Sequence, residues 1–496
     1  MEIRVKTRKG VFKGAENTLG VCSFKGIPFA LSPVGERRFL APVQTEDSET
    51  EFEALEFGNN PMQDFQAPVY GELPMGEDCL YLNIWTGDIK LLQKPVLVWV
   101  YGGAYIKGGA NRPQFDGTAL TAENRDILFV TMNYRLGVLG NLNLSPLGAG
   151  EMYRDSNNLA RLDLQMCLKW IYENIEAFGG DPENVTLMGH SAGSSNITAQ
   201  LMMEQSRPYF RKIIAHSSFA LDVGICSLEE NAGTAELFFR NAGIKTMDEL
   251  LGCSAGRLMT EQARLLNGPL RELGRKPFSV VKDKIHIPED AFRRIAQGSA
   301  KNVRMILGTA SGEYDKQFLK QRSTEDMYRF LASQCGEKLN GIAAAAGNFR
   351  NHGYDRTVEE MYMDIKNDLW LRVPANILAE AMSRHSAVFM YYTRWRNPQT
   401  GDRAPHGFEF PLVLNHYDRS LVDEKMADTV RRAWLEFVRN GTPVLESGLE
   451  WPQYESTKRD TLIIDEPLSV QSGVRVKDLQ YLSPCLAEWY TLMATV

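Results

Sequence analysis

Apolar and polar positions along this chain alternate, run together, or fall into helical spacing, and each pattern predicts a different element. Ile3 and Val5, then Gly10-Val11-Phe12-Lys13-Gly14, alternate as a half-buried edge hairpin does. Phe24 to Ala30 reads as an extended stretch limited by Pro28. Glu77 to Trp85 predicts a strand entered from an acidic turn. The runs Pro95–Tyr101 and Ile127–Met132 have no polar face, which marks strands buried on both sides. From Asn158 to Ile175 the spacing becomes helical, with Leu164, Leu168, Ile171 and Ile175 on one face. Val185–Met188, Ile213–Ser217, Val303–Gly308 and Ala387–Tyr392 are further strand-like runs. Asp428 to Asn440 is an amphipathic helix stopped by Gly441 and Pro443.

Strands alternating with helices predict an α/β protein, a large and mostly parallel central sheet with helices on both faces. Residues 220–300 and 320–382 have helical or irregular spacing and few strand signals. They are expected to be helical insertions at the C-terminal edge of the sheet, where lids and pockets arise. No stretch resembles a linker, so residues 1–496 read as one domain in spite of the length.

The stretch that organises the rest is Phe178–Gly193, FGGDPENVTLMGHSAG. A short apolar strand leads into Gly189-His190-Ser191-Ala192-Gly193, and a helix-compatible segment follows. This is the setting of a nucleophile elbow, in which a tight turn lifts one hydroxyl above the sheet. Glycines flank the serine where a Cβ would clash, and the helix N-terminus aims amides at any negative charge formed there. The same five-residue pattern recurs at Gly252-Cys253-Ser254-Ala255-Gly256, but no strand-like run precedes it, so it reads as a loop. Context selects Ser191.

Composition narrows the partners. A net charge of −7 from 55 basic and 62 acidic residues, without a basic block, argues against nucleic acid or an anionic membrane. The N-terminus lacks the apolar core of a secretory signal, and no run is long enough to cross a bilayer. The seven cysteines are scattered and never form C-x-x-C, as suits reduced thiols in a cytoplasmic protein. Oligomeric state leaves no trace in the sequence.

A serine hydroxyl needs a base to take its proton, and the base must be held in one tautomer. Of the seven histidines, His406 lies in a Pro/Gly loop soon after the strand-like run at 387–392, where the order nucleophile, acid, histidine requires it. His190 adjoins Ser191 and its side chain should diverge. The acid should follow the run at 303–308, which offers Glu313 and Asp315; spacing does not choose between them. The turn Tyr101-Gly102-Gly103-Ala104, straight after a buried strand, presents amides with little side-chain bulk and suits an oxyanion hole.

In these motifs the chain resembles the type-B carboxylesterases, the group that includes cholinesterases and bacterial p-nitrobenzyl esterases. The resemblance runs through EDCLYLNIW (77–85), NYRLGVLG (133–140), the elbow stretch, GTASGE (308–313), PHGFE (405–409), the Asp368-to-Pro374 spacing and Trp434…Asn440-Gly441-Thr442-Pro443…Trp451-Pro452. It implies an α/β-hydrolase fold and a serine hydrolase that cleaves small-molecule carboxylic esters through an acyl-enzyme, with no cofactor or metal. It also implies Ser191, Glu313 and His406 as the triad, and Gly103, Ala104 and Ala192 as the oxyanion hole. Ser217 would hydrogen-bond near the acid. Rivals with the same triad are a lipase or an amide or carbamate hydrolase, and in another class a non-catalytic binding protein on the same scaffold. Four departures stand out. Tyr314 follows the acid where glycine is usual, and His190 stands where glutamate is common. The partner cysteine of Cys79 is missing, as in bacterial members. Val69-Tyr70 lies where cholinesterases carry their choline-binding tryptophan, which argues against acetylcholine.

Overall fold

A computed structural model describes residues 1–64, 74–220, 225–267, 277–313, 325, 332, 364–445 and 448–474. Among them thirteen strands form one sheet. Twelve lie on its main path: β1 (Glu2–Thr7), β2 (Gly10–Glu16), β3 (Cys22–Pro28), β4 (Tyr81–Thr86), β5 (Lys94–Val100), β6 (Leu128–Met132), β7 (Gly180–His190), β8 (Lys212–His216), β9 (Arg304–Ala310), β10 (Val388–Thr393), β11 (Thr461–Ile464) and β12 (Ser469–Gln471). Their order is β1-β2-β3-β4-β6-β5-β7-β8-β9-β10-β11-β12, and Glu51–Glu53 pairs with β2. From β6 through β11 every neighbouring pair is parallel. Both ends are antiparallel.

That arrangement follows from side-chain chemistry. The central strands β5, β6, β8 and β9 carry Val, Leu, Ile, Phe and Met on both faces, and nearly all of these are fully buried. They sit between helices, including α1 (Leu159–Asn174), α2 (Ala192–Ala199), α3 (Val373–Ser383), α4 (Glu409–Val413) and α5 (Glu424–Asn440). Helix α5 is capped by the Asp423 side chain on the Met426 amide and ends at Gly441, whose φ of 75° closes the last turn. Its buried stripe includes Val430, Trp434 and Phe437.

Arg135, just past the end of β6, and Asp163 of α1 form a buried ion pair. Arg135 Nη2 lies 2.7 Å from Asp163 Oδ1, and the Arg135 amide donates to Oδ2 at 2.9 Å. The segment 225–300 contains helices, as its spacing predicts, but also two short parallel strands, Ile225–Ser227 and Val280–Lys282. Most of 320–382 lies outside the described residues up to 363, and α3 continues it. The second G-x-S-x-G follows a helix and not a strand. Its Ser254 caps the helix Ala255–Asn267, accepting from the Arg257 amide at 3.2 Å. It is thus a helix start where a loop was expected. Among the described residues no helix is long and apolar enough to cross a membrane.

Candidate active site

Strand β7 pairs on both edges, with β5 and β8, and ends at His190, so the next residue emerges at the C-terminal edge in the middle of the sheet. There Ser191 adopts φ 55°, ψ −125°, a conformation that costs a non-glycine residue about 1–3 kcal/mol. Two bonds hold it: its amide donates to the His216 carbonyl at 2.9 Å, and its carbonyl accepts from the Ser195 amide at 3.0 Å. The following helix crosses the end of β5 so closely that a Cβ on Gly193 would fall 2.0 Å from the Val100 carbonyl oxygen. Sequence reasoning attributed the flanking glycines to such a clash, and Gly193 shows it.

Strand β5 runs into the turn 101–105. Gly103 has φ 128°, and Ala104 and Tyr105 follow with φ 55° and 61°. The turn is pinned from outside: the Ile106 and Lys107 amides donate to the Gly103 carbonyl, and the Gly137 amide donates to that of Tyr105 at 2.7 Å. A Cβ on Gly102 would lie 2.8 Å from Ser191 Cβ, so turn and elbow are in contact. Among the described residues, the amides of Gly103, Ala104 and Ala192 donate to no other group.

Glu313 and His406 meet across 93 residues of chain, with Oε2 and Nδ1 2.5 Å apart. An isolated bridge joins the two loops, Gly312 against Pro405, and the Gly312 amide donates to the Ala404 carbonyl at 2.9 Å. Glu313 is buried and its Oε1 accepts from the Ala310 amide at 2.6 Å. A carboxylate in that position only accepts, so Nδ1 of His406 carries the proton and Nε2 keeps its lone pair. Asp315 and Tyr314 lie outside the described residues.

Three other described histidines have their rings engaged elsewhere. His286 pairs with Asp155, His385 donates to the Ala296 carbonyl, and His216 Nδ1 lies 2.7 Å from the Tyr391 hydroxyl. Burial pushes His216 down to about 3, so it stays neutral. His190 corrects an expectation. Its ring does not diverge but packs at a tilt against His406, with centroids 4.3 Å apart, and against Phe410 at 5.0 Å. Gly407 makes room for it, since a Cβ there would lie 2.7 Å from His190 Nε2. Burial, then the charges of His406 and His216, hold His190 well below the usual histidine range.

Ser217 differs as well. It has φ 55°, its amide donates to the Gly308 carbonyl, and its buried hydroxyl meets no partner. The hydrogen bond expected of Ser217 near the acid is therefore not made in this structure.

One group had no role in the sequence reading. Glu409 opens α4 and is wholly buried, accepting from the Thr393 hydroxyl at one oxygen with nothing at the other. Burial, then the neighbouring Glu313 charge, push its carboxyl up to about 8. At neutral pH Glu409 is therefore mostly protonated.

The five described cysteines, Cys22, Cys79, Cys167, Cys226 and Cys253, are free thiols. Val69-Tyr70 lies outside the described residues.

Known proteins resemble this chain over nearly its whole length. The carboxylesterase family model matches residues 2–482. The para-nitrobenzyl esterase of Bacillus subtilis (strain 168) is 32% identical over 98% of this chain and 99% of its own. The acetylcholinesterase of Bungarus fasciatus is 28% identical over 96% of this chain and 85% of its own. Among solved structures, a PNB esterase superposes with a TM-score of 0.85 at 32% identity, covering 97% of this chain and all of that one. A Geobacillus stearothermophilus carboxylesterase gives 0.85 at 28%, covering 96% and 99%. The fold is that of an α/β-hydrolase, the protein is a serine-type carboxylic ester hydrolase, and the chain belongs to the carboxylesterase family.

Proposed function

We propose that Ser191 is the nucleophile of this ester hydrolase, His406 its general base and acid, and Glu313 the group that orients His406. The observation that carries the reading is the 2.5 Å contact between Glu313 and His406, made by loops that a backbone bridge holds together. Ser191 Oγ attacks the ester carbonyl and its proton passes to His406 Nε2. The carbonyl π pair moves to oxygen, where the amides of Gly103, Ala104 and Ala192 receive the alkoxide. Collapse expels the alcohol, protonated by His406. Water then repeats the sequence on the acyl-enzyme.

The substrates proposed are small, uncharged carboxylic esters. Among the described residues, Glu313 is paired with His406 and Glu409 is mostly protonated at neutral pH, so neither of these two favours a cationic substrate. The free thiols suit a reducing, cytoplasmic location.

A fluorophosphonate probe should label Ser191, and Ser191→Ala should fold normally yet lose roughly 10⁴–10⁶ of kcat on p-nitrophenyl butyrate. Retention of most of the hydrolysis by that variant would remove Ser191 from the mechanism.

A further inference from the structure

Arg161 sits in the first turn of α1, fully buried, with its guanidinium carbon 4.1 Å from the centroid of the Tyr105 ring. Nη1 donates to the Asn141 side chain, while Nε and Nη2 meet no acceptor. Among the described residues no carboxylate forms an ion pair with it. Asp163, two positions on, is engaged by Arg135 on both oxygens. The neighbouring polar side chains are neutral amides: Asn196 donates to the Ala160 carbonyl and Gln200 to that of Arg161.

A guanidinium cannot shed its proton in a protein, and a buried charge left without a counter-ion weighs against folding. A leucine or methionine would fill the same volume without that cost. The placement gives the charge a use. Tyr105 directly follows Ala104, its carbonyl is held by Gly137, and the turn it completes touches Ser191. The cation therefore packs on the side chain of the residue that directly follows two of the proposed oxyanion amides, Gly103 and Ala104.

We propose that Arg161 is a positioning residue for the oxyanion, whose uncompensated charge, held against Tyr105 beneath the Gly103–Tyr105 turn, favours the alkoxide of the tetrahedral intermediate. The proposal rests on the triad and oxyanion reading above. Charges on the order of 10 Å apart at an effective dielectric of about 20 change a rate by about tenfold.

The test compares wild type with R161M and R161K, in enzyme first shown to depend on Ser191, so that failure here leaves the triad reading intact. The readouts are kcat and KM on p-nitrophenyl butyrate, the inhibition constant of a trifluoromethyl ketone, which forms an anionic adduct with the serine, and Tm. For R161M, kcat and ketone affinity should fall together by about tenfold while KM stays within about twofold. Its Tm should hold or rise, because a buried charge has gone. R161K, which keeps the charge, should keep most of kcat. An R161M enzyme with unchanged kcat and ketone affinity overturns the proposal. So does an R161K enzyme that loses as much as R161M, since shape and not charge would then matter. Failure of R161M to fold also overturns it, because the residue would then serve the fold.

Discussion

Glu409→Gln tests the electrostatics of the site without touching the proposed triad. In the folded protein the Glu409 carboxyl is raised from an ordinary 4.5 to about 8, by burial first and the Glu313 charge second. A raised carboxyl contributes stability that is whole below the unfolded value, about 4.5. That contribution drains away as pH climbs toward the folded value of about 8, because the unfolded chain gives up the proton over that interval and the folded one keeps it. At about 1.4 kcal/mol per pH unit the loss is on the order of 4–5 kcal/mol across the window. Glutamine keeps the acceptor for Thr393 and carries no proton to lose. The two proteins should therefore unfold at similar urea concentrations near pH 4.5. The variant should gain steadily up to about pH 8 and hold its lead beyond. Urea titrations at half-unit steps from pH 4.5 to 9, with fluorescence as the signal, measure that gap directly. A gap that stays constant across the range, or shrinks with rising pH, would show that Glu409 is ionised in the folded state and refute the account of the paired carboxyls. Glu313→Gln in the protein that keeps Glu409 should reduce the slope, because it removes the second cause of the raised value.

The other expectations are narrower. His190→Glu places a carboxylate against the His406 ring, so the acid limb of the kcat/KM profile should move up by about one pH unit, whereas His190→Gln should leave it in place; equal profiles for the two variants count against this ring contact. Asp163→Ala strands the buried Arg135 guanidinium and should cost about 3–5 kcal/mol, read from urea midpoints. Gly193→Ala drives a methyl into the Val100 and Tyr101 carbonyls, so soluble yield and fluorophosphonate labelling should both collapse, and a normally labelled variant contradicts the packing at the elbow.

Much of the fold could be read from the chain because its central strands are buried on both faces and leave an unbroken apolar signature. Leu128–Met132 and Lys212–His216 appear within one residue of the run that marks them. Edges were harder. Strand β7 begins at Gly180, five residues before its apolar run, because Asp181–Asn184 continues the extended backbone past an irregularity in register. Thr461–Ile464 is four residues long and too short to register as a pattern. In the site, Ser191 was legible from its strand–turn–helix setting, whereas Glu313 needed the family resemblance to separate it from Asp315. His190 escaped because the elbow breaks strand alternation, so adjacency to Ser191 says nothing about which way its ring turns. Glu409 escaped for the opposite reason. An acid at a helix start ordinarily belongs to solvent, and only the packing of α4 makes it a buried one.

The bridge between Gly312 and Pro405 has a practical consequence for engineering. It splices two distant loops into one unit, so the spacing of Glu313 and His406 is set locally and not by the path the chain takes between them. Chimeras that exchange part of that excursion for the matching piece of another esterase could then alter which acyl and alcohol groups are accepted while the proton-handling pair stays in register.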